Sequence, residues 1–235
     1  MFRIGRTLPF ALALAALSMF AASCGSSNSK FRLVHAIPDG QAVDVLIDGK
    51  TVESAVAFNS VTPSSGYLSV SSGGRKLEVR QSGTTTDYFS GTPTFNSGAA
   101  FTVVATGAVG NNTVVAPVFT DDNSAPTSGN AKLRFIHASP SGPTPVDIYV
   151  VAPGTDIGGV SPSISSVAYT NASTYLSVPA GTFDILITSA GSKSPVDSTV
   201  SGASFTAGQI RTFIAVDVQN GGSMSGTPLE LSDLN

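Results

Sequence analysis

The sequence has no tryptophan, one cysteine and two histidines in 235 residues. A single cysteine leaves no intrachain disulfide, so the fold must stand on its apolar core. With no tryptophan and five tyrosines, an aromatic platform for stacking sugars has little to be built from. Charge is scarce as well: Asp, Glu, Lys and Arg make up 11% of the chain, against about 25% in an average soluble domain. Twelve basic groups stand against fifteen acidic ones, a net charge of −3. No stripe of Lys and Arg gathers along the chain, which argues against nucleic acid and against electrostatic membrane binding. Catalytic signatures are missing too: there is no G-x-S-x-G elbow, H-E-x-x-H helix, phosphate-binding glycine loop or dinucleotide fingerprint. The expectation is a protein that is not an enzyme and carries neither cofactor nor metal.

What is present starts with an apolar N-terminus. Arg3 and Arg6 precede a short apolar run from Leu8 to Phe20, and the small residues Ala21-Ala22-Ser23 lead into Cys24, the lone cysteine. The run is well short of the roughly 20 residues that span a bilayer, so residues 1–23 read as a cleaved signal peptide. Ala21 to Cys24 resembles a bacterial lipobox, in which the cysteine is acylated and becomes the new N-terminus, although Ala21 stands where Leu is usual. The alternative is an ordinary secretory signal that leaves Cys24 as a free thiol. Residues 24–29 form a flexible polar tether. Gly25 after the cysteine, where Asp would favour the inner membrane, points to an outer-membrane lipoprotein of the cell envelope, on its periplasmic or surface face. Acylated Cys24 would be the membrane contact.

The remainder is written twice. Lys30-Phe31-Arg32-Leu33-Val34-His35-Ala36-Ile37-Pro38 returns as Lys132-Leu133-Arg134-Phe135-Ile136-His137-Ala138-Ser139-Pro140. Val43-Asp44-Val45 answers to Val146-Asp147-Ile148, Tyr67-Leu68-Ser69-Val70 to Tyr175-Leu176-Ser177-Val178, and Thr102-Val103-Val104-Ala105 to Thr212-Phe213-Ile214-Ala215. Blocks repeated in one order mean two copies of one small domain. Residues 30–120 and 131–235 are the expected copies, with a polar, proline-bearing linker at 121–130.

Both copies read as strands. Val43-Asp44-Val45-Leu46-Ile47 alternates, with Val43, Val45 and Ile47 facing inward, and Asp48-Gly49 has tight-hairpin chemistry. Leu77 to Arg80 and Phe183 to Ile187 alternate again. Thr102 to Thr106 and Thr212 to Val218 are continuous β-branched or apolar runs, as in strands buried on both faces. The expected fold is all-β: two tandem immunoglobulin-like β-sandwich domains of about seven strands each, following the cleaved signal peptide.

The His-Ala-x-Pro segments at 35–38 and 137–140, the Val-Asp-Val and Val-Asp-Ile strands, the Tyr67 and Tyr175 blocks and the Gly98 to Val104 and Gly208 to Ile214 strands together resemble the domain-of-unknown-function 4397 family. Ile37 and Ser141 depart from its usual Ser and Asp. The resemblance implies an exported bacterial or archaeal protein, often a lipoprotein, and implies no activity.

The candidate site residues are the repeated polar ones. If the turn from Pro38 to Ala42 closes a hairpin, His35 and Asp44 lie opposite each other on adjacent strands, and His137 and Asp147 do the same. Such a pair orients a general base or a metal ligand. The same bond can instead satisfy a partly buried histidine and pin the turn, and this structural role is the expected one, because neither copy offers a nearby Cys, second His or carboxylate cluster. Arg32 and Arg134, on the opposite strand face, could meet an anionic ligand; pairing with a neighbouring acid or lying over a sandwich edge is the ordinary outcome. Asp121, Asp122 and Asn123 offer oxygens for calcium but lack the spacing of a calcium loop, so a solvated linker is expected. The function these features point to is a non-catalytic envelope binding or structural module for an envelope protein or glycan. The alternatives are a small-ligand module for glycan or divalent metal at the His/Asp turns and, third, an envelope hydrolase.

Overall fold

The computed structural model describes residues 28–233, which are all β apart from one 3₁₀ turn at Ile157–Gly159. The expected signal peptide, Cys24 and most of the tether lie outside the described residues. The first half contains β1 (Asn28–Ala36), β2 (Val43–Ile47), β3 (Lys50–Val56), β4 (Ser60–Thr62), β5 (Leu68–Ser71), β6 (Gly73–Gly74), β7 (Leu77–Gln81), β8 (Asp87–Gly91), β9 (Thr94–Phe95), β10 (Ala100–Thr106) and β11 (Val118–Asp121). The second contains β12 (Asn130–His137), β13 (Val146–Val151), β14 (Ile164–Val167), β15 (Leu176–Pro179), β16 (Gly181–Ser189), β17 (Val196–Phe205), β18 (Ile210–Ala215) and β19 (Leu229–Ser232).

Each half is a sandwich. The sheet β11-β10-β1-β4, with β5 also on β1, faces β3-β2-β7-β8; in the second half β15-β12-β18-β19 faces β14-β13-β16-β17. In both halves the opening strand runs parallel to the last long one, β1 beside β10 and β12 beside β18. Period-2 alternation explains which residues fill the cores. Phe31, Leu33, Val43, Val45, Leu77, Val79 and Val103 meet in the first; Leu133, Phe135, Val146, Ile148, Ile185, Ile187 and Phe213 meet in the second. Each such side chain, once fully buried, contributes about 1.5–3 kcal/mol. The Asp48-Gly49 turn forms with φ of 50° and 76°, the doubly positive geometry that a tight hairpin of right-twisted strands requires.

One expectation about connectivity fails. β1 and β2 do not form a hairpin: β2 pairs with β3 and β7, and the chain crosses from one sheet to the other between Ala36 and Val43. The reason lies in packing. Ile37 is fully buried in the first core, so the chain leaving β1 turns inward and reaches the opposite sheet, where β2 faces β1 across that core.

A third apolar cluster joins the halves. Val34, Ala36 and Val104 of the first sandwich pack against Ile136, Ala138, Ile214, Val216 and Leu231 of the second. The two sheets holding β1 and β12 are therefore back to back. This explains the continuous run at Thr102 to Thr106 and, as far as Asp217, the one expected at Thr212 to Val218, whose strands cover their own core with one face and the other sandwich with the opposite face; Val218 is exposed.

Candidate functional site

The two histidines hold matching turns. His35 Nε2 donates to the Gln41 carbonyl at 2.9 Å while Nδ1 accepts from the Ile37 N–H at 3.3 Å. His137 repeats this with the Pro143 carbonyl at 2.8 Å and the Ser139 N–H at 3.4 Å. Each ring is thus a neutral imidazole bridging two backbone groups across the chain's passage between sheets. Burial lowers the pKa of both, which is compatible with that neutral state. An aromatic ring caps each imidazole edge-on, Phe58 at 6.0 Å and Tyr169 at 5.8 Å.

The aspartates lie elsewhere. Because β2 and β13 belong to the opposite sheets, neither Asp44 nor Asp147 bonds to its expected histidine, and the His/Asp pairs do not exist. Asp44 accepts from the Ala55 N–H at 2.9 Å and the Gly83 N–H at 3.4 Å; Asp147 accepts from Ser166 and Gly191 N–H groups, both at 2.8 Å. Ala55 and Ser166 have φ of 54° and 57° and sit where the strand registers shift. Each carboxylate therefore ties a β-bulge to the turn beyond β7 or β16. The Ala55 N–H, first among several bonds, lowers the Asp44 pKa. Among the described residues no group of three or more His, Cys, Asp or Glu could hold one metal ion.

The arginines are buried at the seam between sandwiches, 3% and 2% exposed, not laid over an edge. Arg32 Nε donates to Thr102 Oγ1 of its own sheet at 2.9 Å, while its guanidinium pairs with Asp233 of the second sandwich and Nη1 donates to the Ser232 carbonyl at 3.2 Å. Arg134 reciprocates across the seam, with Nη2 to Asp121 Oδ1 at 2.6 Å and Nη1 to the Thr120 carbonyl at 3.1 Å. The guanidinium carbons lie 5.1 Å from the Tyr67 ring centre and 5.0 Å from that of Tyr175. Thr102 donates to Asp121 at 2.8 Å, and Thr212 to Asp233 at 3.1 Å. Burial pulls the Arg32 pKa down, but Asp233, then Tyr67 and Asp121, outweigh it and leave it raised. Burial, above all, pushes the Tyr175 hydroxyl up to about 12.

Asp121 thus closes β11 as its one buried residue and is not solvated linker. Asp122 is exposed and pairs with Lys132 at 2.7 Å; that bond, followed by those from Ser124, holds its carboxyl down at about 2. The sequence reading missed Asp121, Asp233, Thr102, Thr212 and the two tyrosines as one network. A signal was available: an arginine inside a run of apolar residues needs a buried acid, and both acids close the short strand that follows β10 or β18.

At the other end of the seam the histidine turns converge on a cleft of about 640 Å³. Pro38 and Asp39 line it from the first turn, Pro140 and Ser141 from the second, with Asn111, Tyr169 and Asn220 between them. The walls are fixed by bonds from Val109 and Gly110 N–H to Asp39, both 2.8 Å, and across the seam from Asn220 N–H to the Pro38 carbonyl at 2.9 Å and from Thr106 Oγ1 to the Ala138 carbonyl at 2.6 Å.

Fold and site together define an all-β sandwich protein whose repeated polar residues hold turns and a seam. The chain belongs to the family described as Domain of unknown function (DUF4397), whose match covers residues 29–149, a little over half of the sequence and from β1 into β13. No curated protein matches it. Among solved structures, a family 26 carbohydrate-binding module from Eubacterium rectale Amy13K, in complex with maltoheptaose, is similar over 88% of this chain and 98% of its own, at 7% identity and a TM-score of 0.27. At that score the likeness carries no argument about fold or ligand.

Proposed function

We propose that the protein is an exported, lipid-anchored component of the bacterial cell envelope whose two sandwiches, copies of one unit, act together as a non-catalytic binding module. One observation carries the non-catalytic part. His35, His137, Asp44 and Asp147 are engaged by the protein's own backbone, and Arg32 and Arg134 by Asp233 and Asp121 across the seam. Residues so engaged serve rigidity, and a rigid pair of sandwiches presents its loops in fixed relation. The anchor rests on Arg3, Arg6, the apolar run at 8–20 and Cys24; acyl chains contribute about 0.8 kcal/mol per buried CH₂, and two or more together hold stably.

Expression of the full chain and of Cys24→Ser in a double-membraned bacterium, followed by membrane fractionation, tests the anchor. The unsubstituted chain should sediment with outer membranes and Cys24→Ser should appear in the soluble fraction. Continued sedimentation of Cys24→Ser with membranes would overturn the lipoprotein reading.

A further inference from the structure

The cleft between the two histidine turns has a chemistry of its own. Among the described residues no lysine or arginine lines it, and the one carboxylate there, Asp39, already accepts two backbone N–H bonds. An anionic ligand would meet that carboxylate with no cation to offset it, and a cationic one would meet a carboxylate already engaged. The remaining polar groups are neutral: the exposed amides of Asn111 and Asn220, the hydroxyls of Thr113 and Ser141, and Tyr169. The two amides make no hydrogen bond of their own to the protein's described residues. An amide offers two donors and one acceptor oxygen, and a sugar hydroxyl both gives and takes. An apolar ligand would strip water from these groups without replacing it, at a cost for each unmade bond.

Shape agrees with this chemistry. Pro140 and Tyr169, both partly exposed, supply apolar ring surface between the polar groups, as the C–H faces of a pyranose require. The volume falls within the roughly 300–1,000 Å³ of small-molecule sites. The lining comes from turns and not from an open strand edge, which leaves an extended peptide no ladder to join. Tyr169 has a feature its counterpart Phe58 lacks: its hydroxyl lies 3.4 Å from Thr106 Oγ1 of the other sandwich, so the ring is held at the seam from both sides.

We infer that this cleft is a binding site for an uncharged glycan, contacted by Asn111, Asn220 and Tyr169 and assembled only when the two sandwiches are joined. The inference rests on the binding-module reading above and gives it a ligand class. It is independent of the anchor, because Cys24→Ser fractionation and the cleft assay can fail separately.

The test uses the full chain purified in detergent. One arm presents an array of neutral gluco-, manno-, galacto- and N-acetylglucosamine oligosaccharides, a second presents intact neutral envelope polysaccharide, and a third presents anionic heparin and hyaluronate. The best neutral probe is then titrated by calorimetry against Asn111→Ala/Asn220→Gly, the glycine chosen because position 220 has a φ of 53° that alanine would strain, and against the cleft-filling Ser141→Trp. Binding of a neutral probe, weakened at least tenfold in both variants at unchanged melting temperature, is the expected result. Response in the first arm identifies a free oligosaccharide as the ligand, and response confined to the second identifies a polymer. Absence of neutral binding, stronger binding of the anionic probes, or neutral binding undiminished in both folded variants would each overturn the inference.

Discussion

At one end of the seam Arg32 and Arg134 meet Asp233 and Asp121, and among their polar atoms one, Arg134 Nε, is buried without a partner. At the other end Asn111 and Asn220 face a cleft with amides that form no hydrogen bond among the described residues. The first end is a closed account of charges in which each sandwich completes the other. The second keeps polar groups in water. Removing a partner at the charged end strands a buried ion, whereas an exposed amide at the cleft can be cut away with little structural effect.

The sharpest way to break this contrast is Asp121→Ala. It leaves the Arg134 guanidinium buried and unpaired, for an expected loss of about 3–5 kcal/mol, read as a lowered urea midpoint. Asn111→Ala should stay within about 0.5 kcal/mol of the parent. Equal losses for the two would show that the seam does not depend on its charges.

Next come the histidines. His137→Ala removes the group that satisfies the Pro143 carbonyl and the Ser139 N–H, and about 1–3 kcal/mol should go with it. The pH dependence has a definite sign. Burial lowers both histidine pKa values from 6.5, so protons bind the unfolded chain more tightly. The contribution is complete above about pH 6.5 and is lost as pH falls through the folded-state values. Urea midpoints should drop from pH 7.5 to pH 5, and the drop should be smaller in the double variant His35→Ala/His137→Ala. A double variant with an undiminished acid slope would assign that slope to other groups.

The smallest effects separate the two aspartates. Asp147 is 5% exposed and Asp44 is only half-buried, so Asp147→Asn should cost about 1–2 kcal/mol and Asp44→Asn less than about 1 kcal/mol. The reverse order in chemical unfolding would show that burial does not govern how strongly these carboxylates hold their bulges.

Much of this was legible in the residues, for reasons that also set the limit. Alternation at Val43, Val45 and Ile47 marks a face because side chains in a strand take turns, and the all-β sandwich follows from it. The continuous runs at Thr102 and Thr212 even hint at a second covered face. Pairing across sheets is another matter. Proximity in sequence made His35 and Asp44 look like hairpin neighbours, but Ile37 had to enter the core, and the turn became a crossing. An arginine inside an apolar run signals that a buried acid must answer it, but which acid does so for Arg32 and Arg134 is set by how two complete sandwiches stack. The cleft is of the same kind, since it is assembled from loops of both halves.

The distance along the chain between Arg32 and Asp233, 201 positions, has a consequence for how the molecule is made. Nascent chains emerge from the N-terminus at about 5–20 residues per second, so the ribosome needs on the order of 10–40 s to supply the acid after the arginine has appeared. Throughout that interval Arg32 lacks its close partner and has only Asp121 of its own half, 3.8 Å away, while Val34 keeps an uncovered apolar surface. The first sandwich can assemble its own core in that time but cannot finish its outer sheet. Completion is a single late event, when the closing strand of the second half delivers its carboxylate and both halves settle together. A chain truncated before that strand would display the same unfinished face for as long as it survived, a ready mark for a protease or a chaperone.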